Sequence, residues 1–406
     1  MSISGSSKQK YSFGSRLLPQ EEMLEVGKKE QRLTIGLPKE DHKMESRIAL
    51  TPEAVEILTG NDHEVFIESD AGLAANYTNT DYSEKGGIVV DKREEVYQAD
   101  IILKIAAPTL EESELLRAHQ TIISSLHLSL QSKELIKNLI RKKVTSIAFE
   151  KIKDDQNCYP VTRSMSTIAG NTSVLIAAEY LSNTRGGKGV MLGGTTGITP
   201  TEVVILGAGT AAEYALRSAV GLGATVKVFD QSVHRLHRLQ NNIGSRLHTS
   251  VFHARVLKKA LLSADVVIGA VHLSRKGPRY YITEDMVKGM KKGSVIVDIS
   301  IDQGGCVETS ECKTQTDPVY EKYGVIHYCV PNIPSRVART ASIAISNVFL
   351  PLLLDVGENG GLLPKFKSDK GFRHGVYIYN GILTDEYIGK VFNLPSKDIE
   401  LLMAAF

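Results

Sequence analysis

Gly207-Ala208-Gly209 follows the apolar run Val203 to Leu206, and that order of residues suits the binding of a pyrophosphate. The run reads as a strand buried on both faces. Gly207 permits the tight turn after it, and Gly209 lets the main chain approach a phosphate with no Cβ in the way. Ala211 to Val220 then reads as a helix whose unpaired N–H groups and positive end face the anion. Ala212 stands where the G-x-G-x-x-G pattern has its third glycine, a position that governs helix–strand packing and admits alanine. After Gly223, Thr225 to Phe229 alternates as a second strand. Asp230 closes the unit about twenty residues after the glycines, where a carboxylate accepts from ribose hydroxyls and repels a 2′-phosphate. The unit predicts a dinucleotide site with NAD preferred over NADP.

Four other residues have types and settings that could do chemistry. Lys104 interrupts the apolar strand IILKIAA, where an ammonium without a partner is costly to bury. A strand-end lysine facing a ligand anion relieves that cost. Arg47 lies in a polar loop just before a helix start, and by composition alone it reads as a solvated surface residue. His127 sits near the end of TIISSLHL, where a lone strand histidine is more often a hydrogen-bonded core residue than a catalyst. Asp302 belongs to VDISIDQGGC, a strand and paired-glycine turn at the carboxyl edge of a sheet, where α/β proteins place ligands. Asp298 on the same strand competes with it and reads as structural.

The elements that must hold these residues alternate. Strands are expected at 33–38, 64–69, 87–91, 99–106, 121–128 and 144–149, with helical segments at 110–118 and 132–142. Thr51-Pro52-Glu53 is a helix start, with Thr as N-cap, Pro at the first helical position and an acid in the first turn. From Met165 a long helix leads through the glycine-rich loop 185–200 into the dinucleotide unit. Strands at 264–271, 293–300 and 324–329 follow, then a helix over 339–354. The fold class is therefore α/β, with two Rossmann-like domains built on parallel sheets and a catalytic cleft between them. Residues 32–162 with 340–406 form the substrate domain, 163–339 the NAD-binding domain and 1–31 an N-terminal extension.

Several separated stretches carry a family resemblance: PKE and ESRIALTP (38–52), ILKIAAP (102–108), SLHLS (125–129), MSTIAGN (165–171), GGKGVMLGG (186–194), VVILGAGTAA (203–212), VIVDISIDQGGC (295–306) and VPNIPSRVARTAS (330–342). With these, the chain from about residue 32 onward resembles the alanine dehydrogenase/pyridine nucleotide transhydrogenase family, and the dehydrogenase branch most. The resemblance implies an NAD-dependent amino-acid dehydrogenase that converts L-alanine and water to pyruvate and ammonia through a carbinolamine and an imine. It implies Arg47 and Lys104 as the cations on the substrate carboxylate and carbonyl oxygen, with Met165 and Asn332 also at the substrate. His127 becomes the proton-transfer residue and Asp302 the essential aspartate that holds the ammonia-derived nitrogen. The cofactor would meet Ser166, Gly207, Ala208, Gly209, Thr210, Ala211, Asp230 and Asn332. One departure is Ser124-Ser125, where the dehydrogenases carry a tyrosine shortly before the histidine, so the pocket wall that sets side-chain size differs here. The alternative is the NAD(H)-binding alpha-type module of a proton-translocating transhydrogenase. Against it, Thr167 to Asn171 lacks the R-I-S-R-A-Q run of that branch. A dehydrogenase for a larger substrate, of the related saccharopine type, is a third reading. Both branches assemble, as hexamers or as dimers, which implies a homo-oligomer.

Composition narrows the rest. The 406 residues are 42% hydrophobic and 23% charged, ordinary for a globular enzyme of two domains. A formal net charge of +2 supplies no reason to invoke nucleic acid or a membrane surface. Four cysteines without C-x-x-C spacing predict reduced thiols and a cytoplasmic protein. No apolar run is long enough to suggest a membrane span, and the N-terminus reads as neither a secretory signal nor a transit peptide. His234 and His237, beside Arg235 and Arg238, read as a solvated basic face, and no metal site is expected.

Overall fold

A computed structural model describes residues 31–41, 45–126, 131–244, 246–273 and 279–404. Two sheets organise them. The first takes its parallel strands from β1 (Thr34–Leu37), β2 (Glu64–Glu68), β3 (Ile88–Val90), β4 (Ile101–Leu103), β5 (Thr121–Ser124) and β6 (Thr145–Ala148). The second contains β7 (Glu202–Leu206), β8 (Thr225–Phe229), β9 (His248–Ser250), β10 (Val266–Gly269), β11 (Val295–Asp298), β12 (Val319–Lys322) and β13 (Val325–Tyr328). The chain then returns to the first sheet as β14 (Val376–Tyr379) and β15 (Ile382–Leu383). The spatial orders are β15-β14-β6-β5-β4-β1-β2-β3 and β12-β13-β11-β10-β7-β8-β9. All pairings are parallel except β12–β13, β14–β6 and β14–β15. These three lie at the sheet ends, where a crossover helix is no longer needed to reverse the chain.

The central strands are apolar on both faces because helices cover both. Val203 and Ile205 point to one buried cluster, Val204 and Leu206 to another. The helix start foreseen at Thr51 is realised in α1 (Pro52–Gly60), with Thr51 accepting from the Ala54 N–H. The long helix begins five residues earlier than its apolar pattern suggested. It is α2 (Pro160–Leu181), with Pro160 at the first helical position, where its missing N–H costs nothing. It packs on α3 (Thr210–Gly221), the helix of the dinucleotide unit. Helix α4 (Val233–Ile243) follows β8. The expected strand over 293–300 is shorter: after Asp298 the chain tightens into a 3₁₀ turn over Ile299–Gln303, so Asp302 stands beyond the strand.

Helix α5 (Ala338–Glu358) carries the chain back to the first sheet. Together with the turn before it, residues 333–358 have the length and mean hydropathy of a bilayer span, which corrects the expectation that no such stretch existed. Ala338, Ile345, Phe349, Leu353 and Val356 bury that apolar face in the first sheet's core, against α1 and α2.

Candidate active site

A cavity of about 720 Å³ opens between the carboxyl edges of the two sheets. On the second sheet it lies where the strand order reverses between β7 and β10, the crevice in which open α/β sheets bind ligands. Gly207, Gly209, Thr210 and Ala211 follow β7, Asp230 follows β8, Ala270 and Val271 follow β10, and Ser300 and Asp302 follow β11. One face of α2 adds Thr162, Met165, Ser166 and Ala169, at helical spacing. The first sheet contributes Arg47, Ser125, Leu126, Phe149 and Glu150.

The dinucleotide end meets the physical requirements for a bound NAD. Gly207 has φ +104, and a Cβ there would lie 2.3 Å from the Ala270 carbonyl oxygen. At Gly209 a Cβ would meet nothing within 4 Å, so the main chain is bared to the cavity where a phosphate must approach. Gly209 is also the N-cap of α3 and supplies no side-chain cap, which leaves first-turn N–H groups for an anion. Asp230 is 3% exposed. Its Oδ2 accepts from the Ala208 N–H at 2.8 Å and its Oδ1 from Ser232 N–H at 2.7 Å. Each oxygen keeps a second lone pair for a ribose hydroxyl. Ala208 itself is fully buried and its N–H is spent on Asp230, so it supports the turn and has no donor left for phosphate.

The other end of the cavity is built on one loop held by serines. The N–H groups of Ser46, Ile48 and Thr51 donate to Ser335 Oγ, Ser342 Oγ and Ser346 Oγ at 2.8, 2.9 and 3.1 Å. Arg47, between them, is buried yet lines the cavity. Its Nε and Nη2 donate to Glu45 Oε1 and Oε2 at 2.7 and 2.6 Å, and Nη1 lies 3.1 Å from Met165 Sδ. Glu45 therefore occupies one bidentate edge of the guanidinium, and the Nη1/Nη2 edge is the one that can meet a ligand. Burial alone would raise the Glu45 carboxyl, but the Arg47 charge and hydrogen bonds outweigh it and hold it below the ordinary value. Across the cleft, the Asn332 amide donates to Glu45 Oε2 at 2.7 Å, and the Asn332 backbone N–H donates to Asp302 Oδ1 at 2.9 Å.

Lys104 differs from expectation. It is 3% exposed and does not line the cavity. Its Nζ donates to Glu112 Oε2 at 2.7 Å and stands 3.6 Å from Glu40 Oε2, so two carboxylates relieve its burial instead of a ligand. His127 lies outside the described residues. Its chain neighbours Ser125 and Leu126 reach the cavity, and Leu126 N–H donates to Glu150 Oε1 at 2.8 Å. Asp298 is fully buried, does not line the cavity and accepts from the N–H groups of Ser300 and Cys306 and from Ser310 Oγ, whereas Asp302 lines the cavity.

Sequence reasoning missed Glu150, Arg235 and Tyr387, all of which line the cavity. Glu150 had a signal: a carboxylate directly after the apolar strand at 144–149, on the same edge as the other candidates. Arg235 belongs to a face expected to be solvated; it is exposed, and it also lines the cavity from α4. Tyr387 arrives from a C-terminal helix whose approach no local pattern announces. Among the described residues, no group of three or more His, Cys, Asp or Glu could hold a metal.

Fold and site together define a two-lobed nucleotide-binding protein with a charged pocket beyond the glycine turn. The chain belongs to the alanine dehydrogenase/PNT family: its N-terminal domain description matches residues 36–169 and its C-terminal domain description residues 173–386. An alanine dehydrogenase of Methanococcus maripaludis is 39% identical over 371 residues, covering 91% of this chain and 99% of that protein. One of Staphylococcus saprophyticus is 36% identical over 369 residues, with the same coverage. A solved L-alanine dehydrogenase superposes with a TM-score of 0.83 at 36% identity over 89% of this chain and 99% of that one. A transhydrogenase from Sinorhizobium meliloti, at 22% identity and TM-score 0.72 over 87% of this chain and 99% of that one, shares the fold.

Proposed function

We propose that the protein is an NAD-dependent alanine dehydrogenase, converting L-alanine, NAD and water to pyruvate, ammonia and NADH. The observation that carries this reading is a single cavity lined by both Gly209, with the α3 N-terminus, and Arg47, Asp302 and Asn332. Bound NAD supplies the hydride acceptor, and Gly209, Thr210, Ala211, Asp230 and Ser166 would hold it. The free edge of Arg47 takes the substrate carboxylate. Lys104, held by Glu112 and Glu40, is assigned as the second cation. Asp302, oriented by the Asn332 N–H, holds the ammonia-derived nitrogen, and His127 is assigned proton transfer to and from the substrate oxygen as the carbinolamine forms and loses water. Met165 and Asn332 close the pocket around the substrate. Two lobes that approach across the cleft exclude water from the reacting carbon.

We take the lobes to be residues 32–162 with 340–406 and residues 163–339, working as a cytoplasmic homo-oligomer. Light scattering and cell fractionation test that assembly and location. The reaction is tested by NADH oxidation with pyruvate and ammonium, against other 2-oxo acids at equal concentration. Turnover dependent on ammonium and highest with pyruvate is expected. NADH binding without turnover on any 2-oxo acid would overturn the enzyme and favour a nucleotide-presenting transhydrogenase module. Turnover confined to a larger oxo acid would move the assignment to a different amino-acid dehydrogenase.

A further inference from the structure

Lys104 is shared between two carboxylates that are held in different ways. Glu112 is fixed on all sides. Its Oε2 accepts from Thr109 N–H at 2.8 Å and from Lys104 at 2.7 Å, while Oε1 faces Arg93 Nη1 at 3.4 Å. Glu40 is fixed on one side only. Its Oε1 accepts from the N–H groups of Ile105 and Ala106 at 2.5 and 3.2 Å, where the chain leaves β4. Its Oε2 is buried, has no hydrogen-bond partner among the described residues and stands 3.6 Å from the Lys104 ammonium. A buried oxygen in that state is costly to keep charged.

The titratable and charged groups around Glu40 come from four segments, one of them the helix Arg93–Val96 with Tyr97 at its end, whose buried phenol faces Glu40. Lys104 faces it from the end of β4, and Glu112 from the helix Leu110–Leu115, with Arg93 behind it. Glu45 faces it from the loop before α1, with Arg47 behind it. Burial is the largest influence. With the Glu45 and Glu112 carboxylates it outweighs Lys104 and the Ile105 N–H, and pushes the Glu40 carboxyl up to about 7. The other charges of this cluster, Arg47, Lys104 and Arg93 against Glu45, Glu112 and Glu68, which pairs with Arg93 at 3.0 Å, balance. Ionised Glu40 therefore leaves this cluster with one net negative charge, beside a cavity assigned to an anionic substrate and reached through Arg47.

We propose that Glu40 is a positioning residue for Lys104 and a proton-uptake site for binding of the 2-oxo acid. Ionised, it adds a second carboxylate's hold on the ammonium and keeps it from the cavity. Protonated from solvent as the substrate enters, it gives up that hold, and Lys104 is shared between Glu112 and the substrate carboxylate. No bond other than O–H forms or breaks, and the proton returns to solvent when the oxo acid leaves. The proposal rests on the alanine dehydrogenase reading of the cavity.

The test is the pH profile of KM for pyruvate at saturating NADH and ammonium. In the wild type KM should rise with an inflection near 7, by up to about tenfold per pH unit above it. In Glu40→Gln, which keeps a carbonyl for Ile105 N–H but carries no charge, KM should stay low and lose that inflection. In Glu40→Asp the inflection should persist. A purely structural Glu40 would leave the wild-type inflection in the Gln variant, and that result overturns the proposal. Should the Gln variant fail to fold, calorimetry decides on the wild-type enzyme. Binding of the pyruvate isostere oxamate to the NADH complex, in two buffers of different ionisation enthalpy, should show net proton uptake just above neutrality. No uptake overturns the proposal. Wild-type enzyme that turns over pyruvate keeps the functional reading intact whichever way these results fall.

Discussion

The side-chain amide of Asn332 donates to Glu45 Oε2 at 2.7 Å, joining residues 287 positions apart in the chain and on opposite sides of the cleft. Glu45 in turn holds Arg47, and the Asn332 N–H holds Asp302. One asparagine thus links the arginine and the aspartate to which the proposed reaction assigns substrate binding and nitrogen binding. It does so from φ +58, a left-handed conformation that asparagine tolerates better than other side-chain-bearing residues.

Asn332→Ala removes the amide and places a less tolerant residue at that φ, whereas Asn332→Gly removes the amide alone. The Ala variant should unfold at lower denaturant, by about 1–2 kcal/mol relative to the Gly variant. Both should lose at least about tenfold in kcat/KM, the cost of releasing one charged hydrogen bond across the cleft. Urea unfolding and steady-state kinetics on the pair separate backbone strain from the lost contact.

The two glycines of the turn should fail differently. Gly207→Ala meets the Ala270 carbonyl at 2.3 Å and carries an unfavourable φ, so it should lower Tm and soluble yield. Gly209→Ala meets nothing within 4 Å in the protein, so Tm should hold. Its methyl instead enters the space a pyrophosphate would occupy, and the Kd for NADH should rise about tenfold or more. Fluorescence titration with NADH, alongside thermal melts, distinguishes the two outcomes. Equal NADH affinity in Gly209→Ala and wild type would place the phosphates elsewhere.

How much of this was legible depended on whether the cause was local. Gly207, Gly209 and Asp230 act through backbone and spacing within one βαβ unit, so their pattern gave their place. Thr51 and Pro52 likewise marked the start of α1, because capping is decided within a turn of helix. Lys104 was legible only as an anomaly. A buried ammonium must have partners, but nothing local said that Glu112 and Glu40 would supply them. The serines at 335, 342 and 346 looked unremarkable, since their role is to accept from a loop nearly 300 residues earlier. Tyr387 and Arg235 reach the cavity through tertiary packing alone. Asp302 was found by its position beyond an apolar strand, although the strand ended sooner than the apolar run implied.

Asp298 and Asp302, four residues apart, should separate stability from chemistry. Asp298 is buried among donors: Ser300 N–H at 3.0 Å, Cys306 N–H at 2.9 Å and Ser310 Oγ at 2.7 Å. Asp298→Asn turns an acceptor-only group into one with donors facing donors, and should cost about 2–3 kcal/mol of stability. Asp302→Asn, at the cavity, should leave Tm close to wild type and reduce kcat by about a hundredfold or more. The reverse pattern in melts and kinetics would exchange the roles.

At the far end of β10, Asp265 receives Lys188 at 2.6 Å, Lys291 at 3.0 Å and the Glu202 N–H at 2.8 Å. Burial would raise its carboxyl, but Lys188, that N–H and Lys291 outweigh burial and hold it below the ordinary aspartate value. A depressed folded-state value means that the group stabilises the fold above the unfolded pKa of about 3.9, and that the contribution is lost as pH falls through the folded value. Unfolding free energy measured against pH should therefore fall steeply in that acid range for wild type. Asp265→Asn should be less stable at neutral pH and flatter there. Parallel acid limbs in the two proteins would show that Asp265 is not the group responsible.

Arg47→Lys keeps the charge and loses the fork. The guanidinium engages Glu45 along its Nε/Nη2 edge at 2.7 and 2.6 Å and retains a second edge for a carboxylate. An ammonium is a point charge and cannot hold both planar anions in register. If it stays with Glu45 the substrate loses its anchor, and if it turns to the substrate the Glu45–Asn332 link loses its base. KM for pyruvate should rise about 10- to 100-fold, equivalent to about 1.4–2.8 kcal/mol, while NADH affinity changes by less than about twofold. A lysine variant with wild-type KM for pyruvate would remove Arg47 from the substrate site and leave its pairing with Glu45 as its whole role.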